Sequence, residues 1–436
     1  MESYNSFRGL SLRIAVGKTR RMDFQPINKF FFISIVSLLL IGSSAAQDSL
    51  VILNSSDFPT MLQNVKYIES IGGTIAHRFP PHILIGNIPA DHISNLKGHM
   101  NIVDIVTEPL NVSSVSDYGR TAEIAVNVWN NNYLKKATEE GLVSVATPEP
   151  GPIIGDMLNL PENTKRGVLL AQLPNTNGQI KQALIQPYMA EFYDTSEYMI
   201  GNVTVGIIFL ESNGSIDPDT ENWTSTEEYS VISEIQAGLN WWKVREPKAK
   251  LTFTYDIHYR ISTSYEPIMR PAPAGESLWI ADAISNLGYI GRSTYFDNVY
   301  DYENSIRKLA NADWAFTIFV IDSSNDPDGK FADDHIAYSY RGGPFMVINY
   351  KNGGYGISNM DAAVAHETGH IFYALDQYTS SNSSCTERSG YLGIQNQNSA
   401  FPFPGACLSN VDSIMRDVIS GYTNGLIDAY ARQQVG

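Results

Sequence analysis

Residues 366–378 read His366-Glu367-Thr368-Gly369-His370-Ile371-Phe372-Tyr373-Ala374-Leu375-Asp376-Gln377-Tyr378. On a helix, residues four apart stand on one face, one turn apart. Two imidazoles so placed reach a single metal ion at about 2.0–2.1 Å each, the Zn–N distance. Glu367 lies one residue round from His366, so its carboxylate flanks the ion without binding it. From there it can take a proton from a water held at the metal. Residues 360–365 (MDAAVA) are strongly helix-forming, with Asn359 as the N-cap. By chance alone, H-E-x-x-H turns up in a chain of this length on the order of once in a hundred. The bland alternative is a buried helix whose two histidines are satisfied by hydrogen bonds.

Catalytic zinc keeps three protein ligands and one open position. No histidine follows His370, so the next candidate is Asp376, six residues on. A straight helix would point Asp376 away, so the helix must break near Tyr373-Ala374. Glu387 and Asp412 are the fallback oxygen ligands.

H-E-x-x-H with a ligand six residues after its second histidine resembles the metzincins, and HETGHIFYALDQY is similar to the secreted members that use Asp there. The resemblance covers residues 200–425. It implies an α+β, zincin-like catalytic domain, a twisted mixed sheet plus an active-site helix, over residues 196–436. The implied activity is a zinc metalloendopeptidase acting on peptide or protein substrates. Zn2+ would be held by His366, His370 and Asp376, with Glu367 as general base. A methionine turn is implied beneath the metal. Ser413-Ile414-Met415-Arg416 fits it, with Met415 standing 45 residues after His370. An edge strand is implied that takes peptide as an added strand. Ile336, Ala337 and Tyr338, in the expected strand 336–340, are the candidates, with 344–350 behind them.

Two positions depart from the family. Tyr373 stands where relatives carry Gly, and a bulky residue in a left-handed turn is costly. Arg416 and Asp417 follow Met415 where some relatives have a tyrosine, so charge stabilisation would fall to the metal, Glu367 and a further donor. A zincin-shaped binding or cell-surface protein without catalysis is the competing function.

The rest of the sequence places this unit in a larger protein. The chain has 436 residues, 43% hydrophobic and 17% charged, a folded composition sized for two or three units. Its net charge of −16 repels phosphate backbones, so nucleic acid is not an expected partner. Residues 30–41 (FFFISIVSLLLI) are apolar, follow Arg20, Arg21 and Lys29, and precede Ser44-Ala45-Ala46. That is the layout of a secretory signal over 1–46, with Met22 as an alternative start. Retained, the run would anchor the protein to a membrane. Six Asn-x-Ser/Thr triplets begin at Asn54, Asn111, Asn202, Asn213, Asn222 and Asn382, all after this signal. Export also predicts one disulfide, Cys385 to Cys407, stabilising by about 3 kcal/mol.

Residues 47–110 read β-α-β-β-α-β, a ferredoxin-like split βαβ unit. The stretch GGTIAHRFPPHILIGNIPADHISNLKGHMNIVDIVTEP resembles the inhibitor-type prodomains of subtilisin-like peptidases, which implies a zymogen. Residues 111–195, interrupted by TPEPGP at 147–152, read as a linker, with helical character over 118–140. From 202 on, the expected order is β-α-β-α-α-β-β-β-α, with helices at 226–244, 278–287, 302–312 and 359–374. Asp322, Asp326, Asp328, Asp333 and Asp334 crowd one loop and suggest structural Ca2+, although His335 stands where an EF-hand needs Glu.

Overall fold

The computed structural model describes residues 46–133, 156–159, 190–402 and 407–436. The signal reading, apart from Ala46, and the break at 147–152 lie outside the described residues. No helix among the described residues is long and apolar enough to cross a membrane.

The first elements are β1 (Ala46–Leu53), α1 (Phe58–Ser70), β2 (Thr74–Phe79), β3 (Ile83–Pro89), α2 (Ile93–Leu96) and β4 (Ile102–Val106). Asp57 caps α1 by accepting from the Thr60 amide, and the helix buries Met61, Val65 and Ile68. These strands pair as β4-β1-β3-β2, every neighbour antiparallel. Next come α3 (Arg120–Val128) and β5 (Asp156–Leu158). The region expected to be a linker therefore contributes to the core: Ile124, Val126, Val128 and Trp129 are fully buried.

The second half is β6 (Asn202–Ser212), α4 (Ser225–Arg245), β7 (Thr252–Thr263), α5 (Glu276–Asn286), α6 (Tyr295–Leu309), β8 (Trp314–Ile321), β9 (Ala337–Tyr340), β10 (Phe345–Asn349) and α7 (Met360–Ile371). This is the expected order. α6 starts two turns earlier than 302, because Thr294 caps it by accepting from the Asp297 amide. That local signal lies outside the apolar run that suggested the helix. After α7 come β11 (Arg388–Ser389), β12 (Ile394–Gln395), α8 (Val418–Asn424) and α9 (Ala429–Gln434).

Ten strands form one mixed sheet in the order β4-β1-β3-β2-β7-β6-β8-β10-β9-β5. From β2 to β10 neighbours run parallel, β9 is antiparallel to β10, and β5 is parallel to β9. All eight residues of β8 are buried, as a central strand covered on both faces requires. The N-terminal strands belong to the same ladder, since His77 pairs with Phe253 and Arg78 with Thr254. Side chains reinforce that seam. Tyr255 shares a 2.7 Å hydrogen bond with His77, Thr252 donates to the Ile75 carbonyl, and Arg78 donates to Asn202. Asn202, which begins one of the Asn-x-Ser/Thr triplets, is therefore half-buried, while the asparagines of the other five are exposed. Leu50, Ile83 and Ile85 share one apolar core with Phe253, Trp242 and Met415.

The seam carries a pH dependence. Burial, aided by the charge of Lys243, pushes the His77 imidazole down to about 3. The folded protein keeps His77 neutral, whereas the unfolded chain takes up a proton below about pH 6.5. Stability is thus intact above pH 6.5 and falls as pH drops towards 3, by up to about 1.4 kcal/mol per unit. Urea midpoints measured from pH 7 to 4 are expected to fall more steeply in the parent than in His77→Asn. Equal slopes would remove His77 from the explanation.

Candidate metal centre

α7 is seated by three close contacts. Gly238 of α4 lets the helices touch: a Cβ there would lie 2.5 Å from the Asp361 carbonyl. Trp242 donates its indole N–H to the Ala365 carbonyl at 2.8 Å. Beneath Gly369 lies the Met415 sulfur, 2.8 Å from where a Cβ would be. The methionine thus sits directly against the turn joining the two histidines.

The helix ends where Asp376 needs it to. The Tyr373 amide donates to the His370 carbonyl and the Ala374 amide to that of Gly369, both at 2.8 Å. These are the paired bonds of a Schellman end, with Tyr373 in the left-handed position at φ 75°. Packing offsets the cost of a non-glycine residue there. The Tyr373 ring is buried against Gly342, whose own Cβ would lie 2.5 Å from it, and Ser389 donates to the Tyr373 carbonyl. The chain then doubles back. Asn396 donates to the Asp376 carbonyl and the Gln377 amide to the Met415 carbonyl, both at 2.8 Å. Cys385 and Cys407 form a disulfide in the intervening loop.

Three acceptor atoms meet as a result. His366 Nε2 and His370 Nε2 are 3.1 Å apart, and Asp376 Oδ1 lies 3.2 and 3.1 Å from them. A point about 1 Å off this triangle's plane is about 2.0–2.1 Å from all three, the coordination distance of zinc. His366 Nδ1 donates to the Ile414 carbonyl at 2.9 Å and His370 Nδ1 to that of Ala374 at 2.8 Å. A carbonyl only accepts, so both Nδ1 atoms carry protons and both Nε2 atoms present lone pairs. Two lone pairs and a carboxylate facing one another repel until a cation sits between them. Among the described residues no other three His, Cys, Asp or Glu side chains bring ligand atoms within 4.8 Å of one another.

Glu367 points to β9, where Ser339 donates to its Oε2 at 2.5 Å. Ser339 was not anticipated; its signal is a hydroxyl in an otherwise apolar and aromatic strand, AYSY. His366, Glu367 and His370 expose no surface and Asp376 exposes 2%.

The other expected residues fall elsewhere. Glu387 pairs with Arg341 and Asp412 is exposed, so neither joins the ligand set. In the aspartate loop the carboxylates cap turns and form pairs: Asp326 accepts from the Gly329 amide, Asp322 from the Ser324 amide, and Asp333 pairs with His335. They do not converge as a calcium site would. Tyr338 turns to the opposite sheet face and donates to Glu276 at 2.6 Å. Ile336 precedes β9 and is buried. β9 is not an edge, because β5 covers it: Asp156 pairs with Tyr338, Met157 with Ser339 and Leu158 with Tyr340.

No known family model matches the chain, and no curated protein matches it. Among solved structures it is similar to metalloproteinase-II from Bacteroides fragilis, at 12% identity, over 86% of this chain and 72% of that one, with a TM-score of 0.25.

Proposed function

We propose that this chain is an exported zinc-dependent endopeptidase. One observation carries the reading: two Nε2 lone pairs and a carboxylate oxygen converge while both Nδ1 protons are committed to carbonyl oxygens. His366, His370 and Asp376 would hold the ion. Zinc, when bound, supplies a Lewis acid that lowers the pKa of water and polarises a carbonyl. Glu367 takes a proton from the attacking water and passes it to the leaving amine. The Ser339 hydroxyl, donating to Glu367 Oε2, fixes the direction of the carboxylate. Met415 and Gly369 set the height of α7 above the methionine turn. The disulfide and the signal-like run support export. Residues 47–110 would assist folding of the catalytic unit, a role favoured by the sheet they share with it.

A second reading is favoured by the complete burial of the four residues: a metal that only staples the fold. Zinc analysis and a peptide-library digest separate the two, run before and after limited proteolysis, with and without chelator. The peptidase reading expects about one zinc per chain and cleavage that chelator abolishes and zinc restores. Bound zinc with no cleavage in any arm would leave the structural reading standing.

A further inference from the structure

We infer that Asp156–Leu158 occupies, from within the chain, the strand position at which a peptide substrate would lie beside Glu367. The inference rests on the peptidase reading and assigns the partner and the regulation of that site.

β9 has two backbone edges. One pairs with β10 and the other with β5. The Arg341 amide donates to the Leu158 carbonyl at 2.8 Å, so the ladder runs on past the end of β9. The residue opposite Met157 is Ser339, the same residue whose hydroxyl holds Glu367. Paired residues stand on one sheet face. Met157 therefore lies on the face of Ser339 and α7, while Leu158 packs with Tyr338 and Tyr340 on the other. Backbone hydrogen bonds to a sheet strand, with alternate side chains directed to opposite faces, are how an added peptide strand is recognised. Burial agrees: a hydrolytic centre must admit a peptide, and this one exposes almost nothing.

β5 is also suited to leaving. It has three residues and, among the described residues, ends the sheet and is paired along one side only. Met157 and Leu158 are half-buried, so little apolar surface is lost on release. The surface so freed fits an extended peptide with an unbranched apolar residue at the Met157 position.

The test uses the full chain loaded with zinc, in a Glu367→Gln background, so that binding is read without turnover. The probe is a fluorescein-labelled peptide of sequence IGDMLNL, residues 154–160. Met157→Asp with Leu158→Asp should bind it at least tenfold more tightly than the Glu367→Gln parent. Met157→Ser, a milder change that spares the fold if the double variant fails, should shift affinity the same way by a smaller factor. Equal affinity in the Met157→Ser variant and the parent, with equal zinc content, overturns the inference. In the Glu367 background the same changes should raise kcat/KM at least tenfold. Tighter binding without cleavage by any zinc-loaded variant would support occupancy and defeat the peptidase reading instead.

Discussion

Glu367→Gln is expected to keep its zinc and lose peptide hydrolysis by a factor of about 10²–10⁴, the usual contribution of general acid–base catalysis. Glutamine preserves the shape of the side chain and can still accept from Ser339, which donates to Oε2 at 2.5 Å. What it cannot do is take a proton from water. Glu367 is not among the three converging ligands, so metal content should match that of the parent. Zinc analysis beside kcat on a peptide substrate, in a form that cleaves, checks both halves. Retained turnover would show that the proton goes elsewhere. Lost zinc would place Glu367 among the ligands and break the division of labour between carboxylate and imidazoles.

Asp376→Asn is expected to separate metal binding from folding. Removing an outer-shell partner costs 10–100-fold in metal affinity, so neutralising a direct ligand should cost more than about 100-fold. The apo protein should respond in the opposite sense. In the parent, three acceptors face one another at 3.1–3.2 Å. An asparagine NH2 group can donate to one Nε2 and relieve that repulsion. The metal-free variant should therefore melt no lower than the metal-free parent, and only the parent should gain Tm on adding zinc. Competition with a chromophoric chelator and paired melting curves measure this. Unchanged zinc affinity in Asp376→Asn, with a loss in Glu387→Gln, would move the third ligand to Glu387.

Much of the centre was legible because its signal is local. Histidines four apart on a helix-forming run are readable from spacing alone, whereas Met415 was singled out only through the family resemblance. Tyr373 was misleading for a physical reason. Its left-handed conformation is unfavourable in isolation and is offset by tertiary contacts with Gly342 and Ser389. Ser339 and Trp242 act on α7 through partners 28 and 123 residues away, and no short-range pattern encodes such pairings. The same holds for β5. Three residues between a proline-rich run and an unassigned stretch show no periodicity, so 336–340 read as an edge. The seam between β2 and β7 was equally hidden, because a strand buried on both sides reads the same whichever neighbour it meets.

That seam decides what a cut in the polypeptide would accomplish. Backbone hydrogen bonds and a common core bind the strands before residue 110 to those after 200, independently of the covalent link between them. A protein nicked in between would separate into two bands in detergent yet travel as a single particle in native buffer. Its amino-terminal piece would stay bound through the shared strands and core alone.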